Sequence, residues 1–140
     1  PGTVIPTISG ELERTNNVKR IFHAASVVGQ PGEGYKPINN IADCISNALD
    51  LIDNDEELAS EGLHSILFPL MGTGTTKLSA QGIADNLIDA ALNYLEQNPD
   101  SKVNKIYFLA YNEQDKGICR HKFINDDRVE TADEVEEAAA

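Results

Sequence analysis

The stretch Phe68-Pro69-Leu70-Met71-Gly72-Thr73-Gly74-Thr75-Thr76-Lys77-Leu78-Ser79 decides how this chain is read. It leaves an apolar run, Ser65 to Leu70, that has the length of a buried strand. It ends at Ser79, a good N-cap for the helical pattern Ala84, Leu87, Ile88, Ala91, Leu92 and Leu95, which Asn98-Pro99 stops. A strand, a glycine loop and a helix in that order put the loop outside the carboxyl end of a strand, where α/β sheets bind ligands. Gly72 and Gly74 let the backbone turn so that successive N–H groups point inward, and the helix N-terminus adds partial positive charge. Thr73, Thr75 and Thr76 add hydroxyl donors, so the loop reads as an anion cradle. The pattern GxxxxGK[ST] is absent, which excludes a Walker A loop. A tight turn needing glycine for geometry alone is the other reading of the same residues.

Working outward, Lys19 to Val28 (KRIFHAASVV) is apolar without alternation, as expected of a strand covered on both faces, and Lys105 to Tyr111 repeats that character. Between them, Asn39 or Asn40 caps a helix whose stripe is Ile41, Cys44, Ile45, Ala48, Leu49 and Ile52. Thr3 to Ile8 reads as a short edge strand interrupted by Pro6. Near the end, Thr131-Ala132-Asp133-Glu134 matches a capping box, so 126–140 is expected to carry an acidic helix. Strands alternating with helices predict an α/β fold, a three-layer α/β/α sandwich with a mixed sheet, in a single domain over residues 1–140.

A second loop, Gly29 to Pro37, follows the first buried strand. Gly32, Gly34 and Tyr35 are ligand-binding candidates there, with Tyr35 placed to pack on a ribose or base; a flexible surface loop is the alternative. His23, inside the strand FHAAS, is expected in the core rather than in catalysis, and His64 and His121 on the surface. No pair of carboxylates is set beside the glycine loop, so no catalytic residue is assigned.

The composition is that of a globule, with 41% apolar and 24% charged residues over 140 positions. A net charge of −12 opposes a broad nucleic-acid surface, yet a single diphosphate held by close backbone N–H groups is compatible with it. No apolar run approaches a membrane span and no secretory pattern opens the chain, so the expected site of action is cytoplasmic and away from membranes. Cys44 and Cys119 have no metal-ligand spacing; two free thiols, no metal and no cofactor are expected, with Cys44 in the core.

These strings resemble the macro-domain family. Val18-Lys19-Arg20-Ile21-Phe22-His23-Ala24-Ala25 is similar to its Ile-x-His-Ala strand, and Ile66 to Gly74 resembles its apolar strand and second phosphate loop. Gly2 to Thr7 followed by Leu12 resembles the strand and turn before the His-Ala strand, and Lys105 to Asn112 the last strand, so the likeness spans residues 2 to 115. The resemblance implies recognition of ADP-ribose or a related nucleotide, with Gly72 to Thr76 around the diphosphate and distal ribose and Tyr111 or Asn112 near the adenosine end. It leaves two further readings open: a hydrolase removing ADP-ribosyl or phosphate groups from ADP-ribose derivatives, and a degenerate macro fold serving as an interaction module. The family's opening strands, with the Asn-Ala-Ala-Asn stretch and first glycine-rich loop, have no counterpart after Pro1. An associated N-terminal fragment or a second subunit is therefore expected as a partner that completes the sheet. Thr75-Thr76-Lys77 also departs from the apolar or aromatic residue and glycine that many members carry there.

Overall fold

A computed structural model describes residues 1–38, 40–72 and 79–132. Its front is a β-hairpin-like pair, β1 (Val4–Ile8) antiparallel to β2 (Arg20–Ala24), with the short helix α1 (Glu11–Asn16) between them. Gly10 opens α1 and Asn17, at φ 54°, closes it in the left-handed conformation that asparagine tolerates. The pairing Val4↔Ala24 and Pro6↔Phe22 turns Val4, Phe22 and Ala24 toward the core. The register Ile5↔His23 and Thr7↔Ile21 leaves those four on the other side, and Thr7 Oγ1 lies 2.9 Å from His23 Nε2. His23 is thus exposed, which corrects the expectation of a core histidine.

The expected strand Lys19 to Val28 is two strands. Ser26 N–H donates to Ala24 O at 3.0 Å, a turn too tight for continuous extended chain, and the backbone leaves β2 for β3 (Val27–Gln30). What read as a loop from Gly29 to Pro37 is a hairpin, since β3 pairs antiparallel with β4 (Gly34–Pro37) in the register Gly29↔Tyr35. Glycine is required at its turn, where Gly32 and Gly34 adopt φ 80° and 77°.

Helix α2 (Ala42–Asn54) buries Cys44, Ile45, Ala48, Leu49 and Ile52 of the expected stripe, while Ile41, expected as its first member, is the N-cap in place of Asn40 and makes no side-chain cap bond; Asn39 lies outside the described residues. After a 3-10 turn at Ala59–Glu61, β5 (Ser65–Pro69) leads toward α3 (Ala80–Gln97), which returns to β6 (Lys105–Leu109), parallel to β5. Ser79 caps α3 as expected, its Oγ accepting from Gly82 N–H at 3.1 Å. The α/β fold class holds, with antiparallel and parallel pairing distributed, among the described residues, over three two-stranded sheets.

Among the described residues, β5 and β6 are covered on one face. Ile66, Phe68, Ile106 and Phe108 join the core, with the rings of Phe68 and Phe108 5.9 Å apart, while Leu67, Tyr107 and Leu109 alternate outward into solvent. The inward set packs on α2, α3 and Cys119 of α4 (Glu113–Ile124). Each fully buried Leu or Ile among them, such as Leu49 or Ile83, stabilises by roughly 1.5–3 kcal/mol. Both cysteines are buried free thiols, and burial pushes both up in pKa, which makes them packing residues rather than nucleophiles.

Two polar clusters fasten the helices. Asp53 at the end of α2 accepts from Tyr94 Oη (2.7 Å), Ser101 Oγ (2.6 Å) and the Lys102 N–H (2.8 Å), tying α2 to α3 and to the chain entering β6. Beyond α4, Arg128 reaches Asp126, Asp89 and Asn93, and Lys122 pairs with Asp89 and Asp126, so the C-terminal segment is fixed to α3. Residues 126–131 are turns and irregular chain, and Ala132 is helical. The acidic helix expected over 126–140 therefore does not include them, and 133–140 lie outside the described residues.

Candidate functional site at the carboxyl end of the parallel strands

Because β5 and β6 run the same way, both release their chains at one end, with Pro69 beside Leu109. From β5 the backbone turns at once, the Met71 N–H donating to Pro69 O at 2.9 Å, and Gly72 takes φ 89°. That conformation is open to glycine and costly for any residue with a Cβ. From β6 it passes through Ala110 and the exposed Tyr111 to Asn112. Asn112 Oδ1 accepts from the Asp115 N–H at 2.8 Å and so caps α4.

Helix α2 also starts there. A Cβ added to Gly72 would lie 2.7 Å from Ile41 Cδ1, so the residue before α2 seals one side of the turn. The strand pair's carboxyl end thus gathers the start of α2 and of α4, and α3 begins eight residues after Gly72. Every such N-terminus carries N–H groups without intrahelical partners and the positive pole of the helix. They differ in neutralisation: Asp43 lies in the first turn of α2, Glu113 and Asp115 in that of α4, and no acidic residue in that of α3. Of the three, the first turn of α3 is the one without an acidic residue.

The sequence candidates fall into three groups. Gly72, Tyr111 and Asn112 stand at this end of the strand pair. Thr73, Gly74, Thr75 and Thr76 lie outside the described residues. Gly32, Gly34 and Tyr35 belong to the β3–β4 hairpin, where the Tyr35 ring lies over Gly29, so close that a Cβ there would meet Tyr35 Cε1 at 2.9 Å. The hairpin's exit strand leads through buried Ile38 to Ile41 at the turn.

Two contributors escaped the sequence reading. The cap at Asn112 had a signal, since Asn112-Glu113-Gln114-Asp115 has the spacing of a helix start. The contact of Ile41 with Gly72 had none, being made across 31 residues of chain by packing. Elsewhere, a shallow groove between α2 and α3 is lined by Asn40, Asp43, Asn86, Asp89 and Asn93, with Asp89 paired to Lys122 and Arg128. Among the described residues, no group of three His, Cys, Asp or Glu is set to hold a metal ion, and no helix is long and apolar enough to cross a membrane.

The chain is 27% identical over 114 residues to an O-acetyl-ADP-ribose deacetylase of Cronobacter sakazakii, a match covering 81% of this chain and 56% of that protein. The chain thus spans little more than half the length of this relative. The family model of the macro domain matches residues 1–87, a region that runs from β1 through the glycine turn into α3. That region is more than half of the 140 residues and contains both the Gly72 turn and Ile41, which closes it: the chain belongs to the macro-domain family.

Proposed function

We propose that the chain binds ADP-ribose or a related nucleoside diphosphate sugar at the carboxyl end of β5 and β6. The observation that carries this reading is Gly72 at φ 89°, turning the chain between a parallel strand and a helix whose first turn holds no acidic residue. Family membership and the named activity of the Cronobacter relative supply the ligand class. In this reading the N–H groups of residues 72–76 bind the diphosphate, assisted by the hydroxyls of Thr73, Thr75 and Thr76. Tyr111, 89% exposed, would stack on the adenosine end, with Asn112 beside it. Tyr35, with Gly32 and Gly34, is proposed as an outer contact for the ligand's ribose or base.

Hydrolysis of an ADP-ribosyl derivative is the second reading, favoured by the relative being a deacetylase. It asks for a general base in addition to the cradle, whereas binding needs the cradle alone. Calorimetry with ADP-ribose tests the first reading. Binding is expected, and Gly74→Val, which restricts φ and fills the approach path, should weaken it about tenfold or more. Unchanged affinity in folded Gly74→Val would remove the loop from the site.

A further inference from the structure

A glycine permits a turn without holding it. Gly72 stands at φ 89°, and having no Cβ it reaches other conformations as readily, so the direction in which the chain leaves β5 has to be set by its surroundings. Just before it, the backbone is tied by the Met71 N–H to Pro69 O bond of 2.9 Å. Beside it lies Ile41 Cδ1, 2.7 Å from where a Cβ on Gly72 would be, in the space that a side chain would need.

Ile41 is itself firmly held. Its carbonyl accepts from the Cys44 N–H at 3.1 Å, which joins its backbone to the first turn of α2, and Cys44 and Ile45 of that turn are fully buried. Its half-buried side chain packs against the core. Branching at Cβ restricts χ1, so Cδ1 is carried on a stiff arm. Upstream, Ile38 is buried and donates its N–H to Ser26 O at 3.0 Å, which anchors the chain on the other side. A methyl group rooted in the core therefore closes one side of a turn that would otherwise be loose.

The consequence rests on the binding reading given above. N–H groups that follow Gly72 serve a diphosphate best when they are aimed before it arrives, because a loose glycine segment has to be ordered during binding and that lowers affinity. We infer that Ile41 is a positioning residue of this site: its δ methyl holds the Gly72 turn in the conformation that receives the diphosphate, acting through Gly72 rather than on the ligand.

Ile41→Val removes the δ methyl and keeps the β branch, while Ile52→Val makes the same truncation in the core at the other end of α2. Calorimetry with ADP-ribose on the wild type and both variants, well below their melting temperatures, is combined with heteronuclear NMR relaxation of the Gly72 N–H in the unliganded proteins. Ile41→Val is expected to bind about threefold to tenfold more weakly, with a Gly72 N–H more mobile than in the wild type. Ile52→Val should lose stability and match the wild type in both readouts. Wild-type affinity in Ile41→Val overturns the inference, as does an equal loss of affinity in Ile52→Val, which would show a general effect of core packing. Weaker binding with an unaltered Gly72 N–H overturns it too, since Ile41 would then act on the ligand directly. A wild type that takes up no ADP-ribose defeats the binding reading, and this inference with it, before any variant is compared.

Discussion

Ile41 Cδ1 stands where a side chain on Gly72 would begin, 2.7 Å from the position of its missing Cβ. The turn after β5 is thus doubly reserved for glycine, by its φ of 89° and by the residue preceding α2. Gly72→Ala should cost about 1–3 kcal/mol of stability through backbone strain, with the contact adding to it. Its affinity for ADP-ribose should fall with it. Adding Ile41→Ala should recover the steric part and leave the strain, so a double-mutant cycle by thermal unfolding should give a favourable coupling between the two positions. Simple additivity would show that Ile41 does not limit the turn.

Asp53 joins three elements, and its acid response should report them. Burial works to raise its pKa, but hydrogen bonds from Ser101, Tyr94 and the Lys102 N–H outweigh that and hold the carboxyl below the usual range. A carboxylate depressed in the folded state contributes stability that is present above its unfolded pKa, near 3.9, and is lost as the pH falls through the lower folded value. Asp53→Asn should therefore destabilise at pH 7, by about 1–3 kcal/mol for the polar groups it leaves poorly paired. The loss should shrink toward zero at the acid end. Urea titrations at several pH values would show the two curves converging; parallel curves would contradict the cluster's role.

For His23 the expected effect is small. Its ring is exposed and touches Thr7 across the β1–β2 pair, so His23→Gln should change stability by no more than about 0.5 kcal/mol and leave ADP-ribose affinity as it was. Chemical denaturation and calorimetry on one preparation check both. A large loss of stability would return the residue to the core.

The Arg128 cluster should respond to salt. Asp126 is held far below the usual carboxylate range by Arg128 first and Lys122 second, and both cations sit within 2.9 Å of it. Arg128→Ala should lower the melting temperature at low ionic strength, and the difference should narrow as salt approaches about 1 M, where the screening length is near 3 Å. A difference independent of salt would mean that the arginine acts by packing its stem on α3.

What the sequence disclosed followed the periodicities that burial imposes. The stripes of α2 and α3 and the cap at Ser79 were legible because each is a local pattern over a few turns of helix. The break between β2 and β3 was not, since KRIFHAASVV is equally apolar on either side of the turn at Ala24 to Ser26. The alternation in β5 and β6 was hidden in a similar way: Leu67, Tyr107 and Leu109 are as apolar as the residues facing the core. Of the site, Gly72 could be read from the order of strand, glycine and helix, while Ile41 could not, because its role comes from two helices and a strand meeting in space.

The hairpin of β3 and β4 buries nothing of its own along β3, where all four residues are exposed, and Tyr35 rests on its partner strand rather than on the core. One end is attached through the Ile38 N–H to Ser26 O and the buried Ile38 side chain. Such an appendage is where a lineage can experiment: its length, charge and tip are open to drift at little cost to the interior, and a change of substrate preference in this chain's descendants would start there rather than in α2 or α3.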